Sequence, residues 1–358
     1  MSRAFICGLG AVSPAGWGVP ALNDVLKKGD ALPIQTLERP GWDRRLRMRP
    51  VPNPAARPGF LAHPRLRRAS PITHYAVAAA LEALGWRRPH QGEGQRLGVI
   101  TCLQSGCVLY SCRFFEEALR DPSTASPLLF PETVFAAPAS HVAAVLETTP
   151  LVYTLVGDPA SFLQGISLGV QWLEGDRADA CLVIGAEETN WLLADALWHF
   201  EHQAVISGGA GAVCLSRDPA LSLGVELSVI TDAHTYSMSR GRARAAQAMR
   251  AQLPSCSRDE LLCDGIAGSP RADASELAAW RDWAGARLSP KKLLGEGLMA
   301  AAAWQCVAAC AAVANGRFAA ANVSLVGSNQ QALGARFVSA DSGASHLSTG
   351  ESACKLAP

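Results

Sequence analysis

Two absences shape the reading of this chain: residues 113–180 contain no cysteine, and between Ala233 and Ser345 the only histidine is His234. Long stretches therefore lack the two side chains most often used for nucleophilic and proton-transfer chemistry. No CxxC occurs among the 11 cysteines; Cys102, Cys107 and Cys112 are five apart, and Cys306 and Cys310 are one helical turn apart. That scatter through apolar stretches reads as buried free thiols in a reducing cytoplasm, with no metal and no cofactor expected. Strong net charge is also missing: the balance is +1, which gives no general reason to bind nucleic acid or a membrane surface. The longest apolar run, Leu298 to Ala314, has 17 residues, is alanine-rich and is interrupted by Gln305, so it reads as a buried helix and not a membrane span. The opening "MSRAFICGLG" lacks the charged and apolar blocks of a signal peptide, so a cytoplasmic location is expected.

What is present is ordinary globular material. The 358 residues are 49% hydrophobic and 18% charged, enough for a sizeable core in one two-lobed unit or two domains. Strand-like segments at 4–12, 96–102, 151–157 and 209–217 alternate with helical ones at 18–29, 72–86, 110–121 and within 130–150. A second series follows: strand-like 222–235, a short strand within 258–268, helices at 273–285 and 292–316, and a late strand at 337–342. This alternation argues an α/β architecture with a parallel or mixed sheet. Residues 39–70 stand apart, with nine arginines, six prolines and one acid, Asp43. They read as a surface excursion with little regular structure, or as a docking surface for an acidic partner.

The segment "YTLVGDPASFLQGISLGVQWLEGDRADACLVIGAEE" (153–188) reads as strand, sharp turn, helix, loop and strand. Its turn, "GDPAS", delivers a helix N-terminus beside a strand, where the dipole favours an anion. The residues there are Asp158 and Pro159. Aspartate is a favoured helix N-cap and proline a favoured first helical residue. Phe162, Ile166, Val170 and Leu173 then form one apolar face at helical spacing.

Six markers, in the same order, resemble the ketosynthases of the thiolase fold. They are "CGLGAVSPAGWG" (7–18); "SPLLFPETVFAAPASHVAAVL" leading to "GDPAS" and "GDRADACLVIGAEE"; "SGGAGAVCLSR" (207–217); "DASE" (273–276); "SPKKLLGEGLMAAAA" (289–303); and "VGSNQQA" (326–332). The resemblance spans nearly the whole chain. It implies two similar βαβαβαββ-type halves, 1–220 and 221–358, forming a five-layered αβαβα core.

The resemblance also implies a chemistry that this chain lacks. A ketosynthase uses a cysteine thiolate at a helix N-terminus, two histidines, and a lysine supporting one of them. Spacing from Pro131 and His141 puts the nucleophile at Pro159, and spacing from Gly175–Asp176 puts it at Asp158. The first histidine position falls on Gly265 or Asp264, and the second on Glu296; only Lys291 matches. Lys291 and Glu296 are expected to pair with each other. The loss of all three groups resembles the chain-length factors of type II polyketide synthases, which pair with an active ketosynthase and shape its acyl tunnel, in a system fed by an acyl carrier protein. The short chain points toward polyene or aryl polyene systems. In that resemblance Phe135, Ala136, Ala137 and Pro138 are candidates for setting tunnel depth. Two other readings compete: an acyl-transferring enzyme with displaced chemistry, using Ser161 as nucleophile or Asp158 as base, and a homodimeric carrier-binding scaffold.

Overall fold

In a computed structural model, residues 3–85, 96–147, 150–237, 239–254, 258–328 and 330–340 are described. The ends of the expected 72–86 helix and 337–342 strand, the second-last residues of the 130–150 segment, Asn329, Cys256 and Cys354 lie outside the described residues.

The first part of the chain forms β1 (Ala4–Ser13), β2 (Gly16–Trp17), α1 (Val19–Lys28), β3 (Gln35–Arg39), β4 (Trp42–Arg49), α2 (Pro71–Ala83), β5 (Leu97–Leu103), α3 (Val108–Arg120), α4 (Ala137–Leu146), β6 (Leu151–Val156), α5 (Ser161–Glu174), β7 (Ala180–Glu187), α6 (Trp191–Trp198), β8 (Ile206–Ser207) and β9 (Gly209–Ser216). The rest forms β10 (Val225–Ile230), β11 (His234–Thr235), α7 (Ser239–Ala251), β12 (Glu260–Cys263), α8 (Pro270–Ala279), β13 (Ala286–Leu288), α9 (Pro290–Leu294), α10 (Met299–Ala314), β14 (Ala320–Val326) and β15 (Gln331–Ser339).

The main sheet runs β13-β12-β14-β15-β10-β1-β9-β7-β5-β6. Read outward from the β1·β10 pair, the two arms are the same. Each arm begins with antiparallel pairs, β1·β9 and β9·β7 against β10·β15 and β15·β14. Each ends in parallel ones, β7·β5·β6 against β14·β12·β13. β5 and β7 are buried along their whole length, as expected for parallel strands covered on both faces, while the edge strands β6 and β13 are partly exposed. Helices supply that cover. α2 and α4 pack on one side of the first arm, α5 and α10 fill the space between the arms, and α7 and α8 cover the far side of the second. Every residue from Met299 to Val313 in α10 is buried, which explains its apolarity on all sides; the one polar residue, Gln305, donates its amide to the Ser324 carbonyl at 3.1 Å. The result is the five-layered αβαβα core of the thiolase fold.

The "GLG" of the first marker is a packing device. A Cβ on Gly8 would lie 1.7 Å from the Ala83 carbonyl oxygen, and one on Gly10 would lie 2.0 Å from that of Ala79. Only glycine lets β1 approach α2 this closely.

Four expectations need correction. Residues 39–70 do contain regular structure: β3 and β4 form a hairpin, and β4 pairs in parallel with β8. Leu46 anchors it in a small cluster with Ala194 and Ile206, so a partner about 160 residues away, not local pattern, makes the strand. The expected 292–316 helix is two helices. α9 stops at Gly295, whose φ of 93° is left-handed, and Glu296 forms a bridge to Ile206 before α10 begins. The expected 273–285 helix starts earlier, at Pro270 behind the Ser269 cap, and ends at Ala279. Strand-like 222–235 divides into β10 and β11. No described helix is long and apolar enough to cross a membrane.

Candidate functional site

The "GDPAS" corner joins β6 to α5 and sits against the start of β15. Asp158 is 2% exposed. The helix begins two residues later than expected, at Ser161, with Ala160 at the cap position. Asp158 still serves that end, since its Oδ1 accepts from the Ala160 N–H at 3.2 Å. The carboxylate's other bonds cross to the second arm: Oδ2 accepts from the Gln331 N–H at 3.2 Å, and the Gln331 side-chain amide reaches Oδ1 at 3.5 Å. Burial pushes the carboxyl's pKa up, against the pull of those donors. Ser161 is also held, its Oγ accepting from the Gln331 amide at 3.1 Å. Gln331 and Gln164 exchange reciprocal amide bonds at 3.0 and 3.1 Å. Among the described residues no imidazole bonds Ser161, so nothing there would take its proton.

The two positions that the resemblance assigns to histidines lie in the second arm. Asp264 is 1% exposed; its Oδ1 accepts from Ser289 Oγ and the Ile266 N–H, and its Oδ2 faces Arg287 at 3.6 Å. The Gly265 N–H donates to Glu276 Oε1 at 3.0 Å. Ser324 Oγ donates to the same carboxylate and accepts from Trp280 Nε1 at 3.0 Å. Burial first, and then the charge of Asp264, pushes Glu276 up to about 7. Lys291 and Glu296 pair as expected: Lys291 Nζ donates to Glu296 Oε2 at 2.9 Å, and Glu296 Oε1 accepts from the Leu298 N–H at 2.8 Å. Asp273 accepts from the Ala267 and Gly268 N–H groups and so fixes the loop before α8.

The tunnel candidates sit at the head of α4. Ala137 and Pro138 are buried, and Phe135 is 41% exposed with its ring against Gly106. They border a wider apolar face. α3 has no buried residue, and it exposes Phe115 and Leu119; Leu128, Phe130 and Val134 continue the face. β6 is the last strand of the sheet, with Val152, Tyr153 and Val156 exposed along its open edge. Two buried glutamates at the end of β7 hold this region in place. Glu187 accepts from the Gln104 and Ser105 N–H groups, and Glu188 from those of Leu109 in α3 and Ile72 in α2. Burial pushes Glu187 up to about 8.

The sequence reading missed Gln331, Gln164 and Ser324 as partners of the site. Only the "VGSNQQA" marker hinted at the first. The glutamate pair ended a quoted marker, "GAEE", but nothing in its spacing told which N–H groups it holds.

This geometry is that of the thiolase-type fold of the β-ketoacyl synthases. The chain superimposes on the ishigamide ketosynthase/chain length factor with a TM-score of 0.79 and 19% identity, over 94% of this chain and 99% of that one. A β-ketoacyl synthase from Burkholderia phymatum STM815 matches with TM-score 0.79 and 18% identity, over 95% and 100% of the two chains. A ketosynthase in complex with its chain length factor from Xenorhabdus doucetiae gives 0.76 and 15%, over 94% and 98%. At these identities the likeness establishes the fold. No family model matches the sequence. No curated protein matches it either.

Proposed function

We propose that this chain is a non-catalytic, chain-length-factor-type subunit that pairs with an active β-ketoacyl synthase and shapes its acyl tunnel in type II polyketide assembly, of the polyene or aryl polyene kind. One observation carries the reading: the strand-turn-helix corner is kept, but Asp158 and Pro159 stand where a thiolate would, and the polar groups around them are engaged with one another. A carboxylate at a helix N-terminus cannot accept an acyl chain from a carrier and pass it on as a thioester does. The histidine positions, Gly265 or Asp264 and Glu296, hold no imidazole, and Lys291 is committed to Glu296.

The partner is assigned to the open edge of β6 and the uncovered face of α3. An unpaired strand edge and a bare amphipathic helix are costly to leave in water, and both are resolved by a second subunit. Phe135, Ala136, Ala137 and Pro138 lie beside that face, where they would set tunnel depth in the pair. The arginine-rich 39–70 segment offers a basic surface for an acidic acyl carrier protein. Residues 1–220 and 221–358 are taken as the two halves, and the pair is placed in the cytoplasm.

The test is co-expression with a ketosynthase that has intact Cys and His residues. The expected result is a soluble one-to-one complex with condensing activity, and poor solubility or an inactive homodimer without the partner. Phe115→Asp with Leu119→Asp should abolish co-purification. Condensing activity from the chain alone would refute the assignment.

A further inference from the structure

We propose that the corner is an anion cradle occupied in cis, with the Asp158 carboxylate as its built-in ligand; the cradle is specific for a small monocarboxylate. The inference deepens the reading of the corner as disarmed and rests on it.

The cradle is made by two elements from opposite arms of the sheet. The Ala160 N–H, at the entrance to α5, and the Gln331 N–H, at the start of β15, each reach one carboxylate oxygen at 3.2 Å. The Gln331 side-chain amide lies 3.5 Å from the same carboxylate, with its two N–H groups directed to Ser161 Oγ and Gln164 Oε1 at 3.1 and 3.0 Å. The 14-residue helix α5 begins at this point, so its dipole also favours negative charge here.

The wall of the cradle is Gly327. A Cβ at that position would lie 1.8 Å from Asp158 Oδ2 and 2.5 Å from its Cγ. The φ of Gly327 is not left-handed, so glycine is needed there for room and not for conformation. Any side chain at 327 would take the space that the carboxylate fills. Tyr236 Oη donates to the Gly327 carbonyl, and Arg242 Nη2 donates to that of Val326 at 3.3 Å, so the wall is held from behind. Two backbone N–H donors, one to each oxygen, and a carboxylate-sized space beside glycine are what a free formate or acetate ion would need. In the intact chain Asp158 excludes such ions, and with them the carboxylates and thioesters of acyl substrates, which leaves that chemistry to the partner.

Asp158→Ala in the full-length chain tests this. Thermal and urea unfolding are compared in sodium acetate, sodium formate and sodium chloride at equal ionic strength. Ligand binding to the folded state alone should raise the folded-to-unfolded ratio about elevenfold at ten times Kd. The expected gain in acetate and formate over chloride is seen for Asp158→Ala and is absent from the wild type and from Asp158→Asn, whose amide still fills the space. Equal behaviour in acetate and chloride, or the same gain in the wild type, overturns the proposal. If Asp158→Ala does not fold in chloride, refolding yield becomes the readout: recovery in acetate supports the cradle, and equal yields in both salts overturn it. Gly327→Ala gives a second measure. It should cost more stability in the wild type than in the Asp158→Ala background, and strictly additive costs refute the shared space. None of these readouts uses condensation or a ketosynthase, so failure of the cradle and failure of the proposed pairing are seen separately.

Discussion

Replacing Glu187 by glutamine should stabilise the chain in alkali and change little in acid. Glu187 ends β7 with 0% exposure. Its carboxyl sits at about 8 where 4.5 is usual, because burial penalises the anion and the neighbouring Glu188 charge adds to the rise, against the donors of Gln104 and Ser105. A raised carboxyl pKa means that the folded chain keeps a proton the unfolded chain has already lost. Between about 4.5 and about 8 the unfolded state therefore binds fewer protons, and stability falls as pH rises through that window. At about 1.4 kcal/mol for each pH unit, the loss from this one group is on the order of 5 kcal/mol. That is a large share of the roughly 5–15 kcal/mol that holds a typical domain together. Glutamine copies the neutral form. Its carbonyl can accept from the Gln104 and Ser105 N–H groups, and its NH2 can face Ser105 Oγ. Urea unfolding of both proteins at about pH 5 and about pH 9 reads the difference directly. The two should match in acid, and the variant should be more stable in alkali by a few kcal/mol. A gap that does not change with pH, or a variant that is weaker in alkali, would show that the donors outweigh desolvation and refute the reasoning.

Pro159→Cys should give no detectable condensation with acyl and malonyl carrier proteins, since Asp158 stays in place and Gly265 and Glu296 supply no imidazole; activity in that single variant would overturn the account of the corner. Incubation with acyl-CoA or acyl carrier should leave the intact mass unchanged, and a mass gain lost in Ser161→Ala would revive the displaced-nucleophile reading. Glu296→Ala should cost on the order of 3 kcal/mol in urea unfolding, because it strips the direct partner from a lysine that is 7% exposed. Adding Lys291→Met should recover part of that loss, and a double variant weaker than the single one would count against a mutually dependent pair.

Much of the fold could be read from the sequence because its main strands are locally distinctive. The apolar runs that became β1, β5, β7 and β9, and the Gly-bounded helix α5, announce themselves within ten or fifteen residues. The hairpin of β3 and β4 did not. "WDRRLRMR" looks like a solvated basic stretch, and pairing with β3 and β8, with Leu46 packed on Ala194 and Ile206, makes it a strand. β14 was hidden for the opposite reason: "AANVSLV" follows an alanine-rich helix with little to separate the two but Asn315, Gly316 and Arg317. At the site, the residue types at 158, 159, 291 and 296 were legible, and the Lys291–Glu296 pair was foreseen from the resemblance, which puts both charges in one closed pocket. The role of Gln331 was not legible. It lies more than 170 residues from Asp158, and a glutamine signals nothing about which carboxylate its N–H will meet.

Shape and chemistry come apart at this corner because different atoms hold them. The shape rests on backbone groups. The Gly157 N–H donates to the Leu103 carbonyl at 3.1 Å, tying the turn to β5, and the Ser161 N–H donates to the Asp158 carbonyl at 2.9 Å, starting α5. None of these bonds needs a cysteine side chain. The chemistry rested, in the resembling enzymes, on side chains that can be exchanged without touching those bonds, provided each replacement satisfies the buried groups around it. Asp158 meets that condition by drawing on Gln331, Glu296 by closing on Lys291, and Gly265 by handing its N–H to Glu276. A nucleophile lost to an apolar residue would have left N–H groups unpaired in a buried corner, at about 1–3 kcal/mol each. Loss to a carboxylate avoids that cost and ties β6 and α5 of one arm to β15 of the other. On the proposed reading, the layered core and the exposed α3 and β6 face are kept because these side chains leave the backbone bonds of the corner intact.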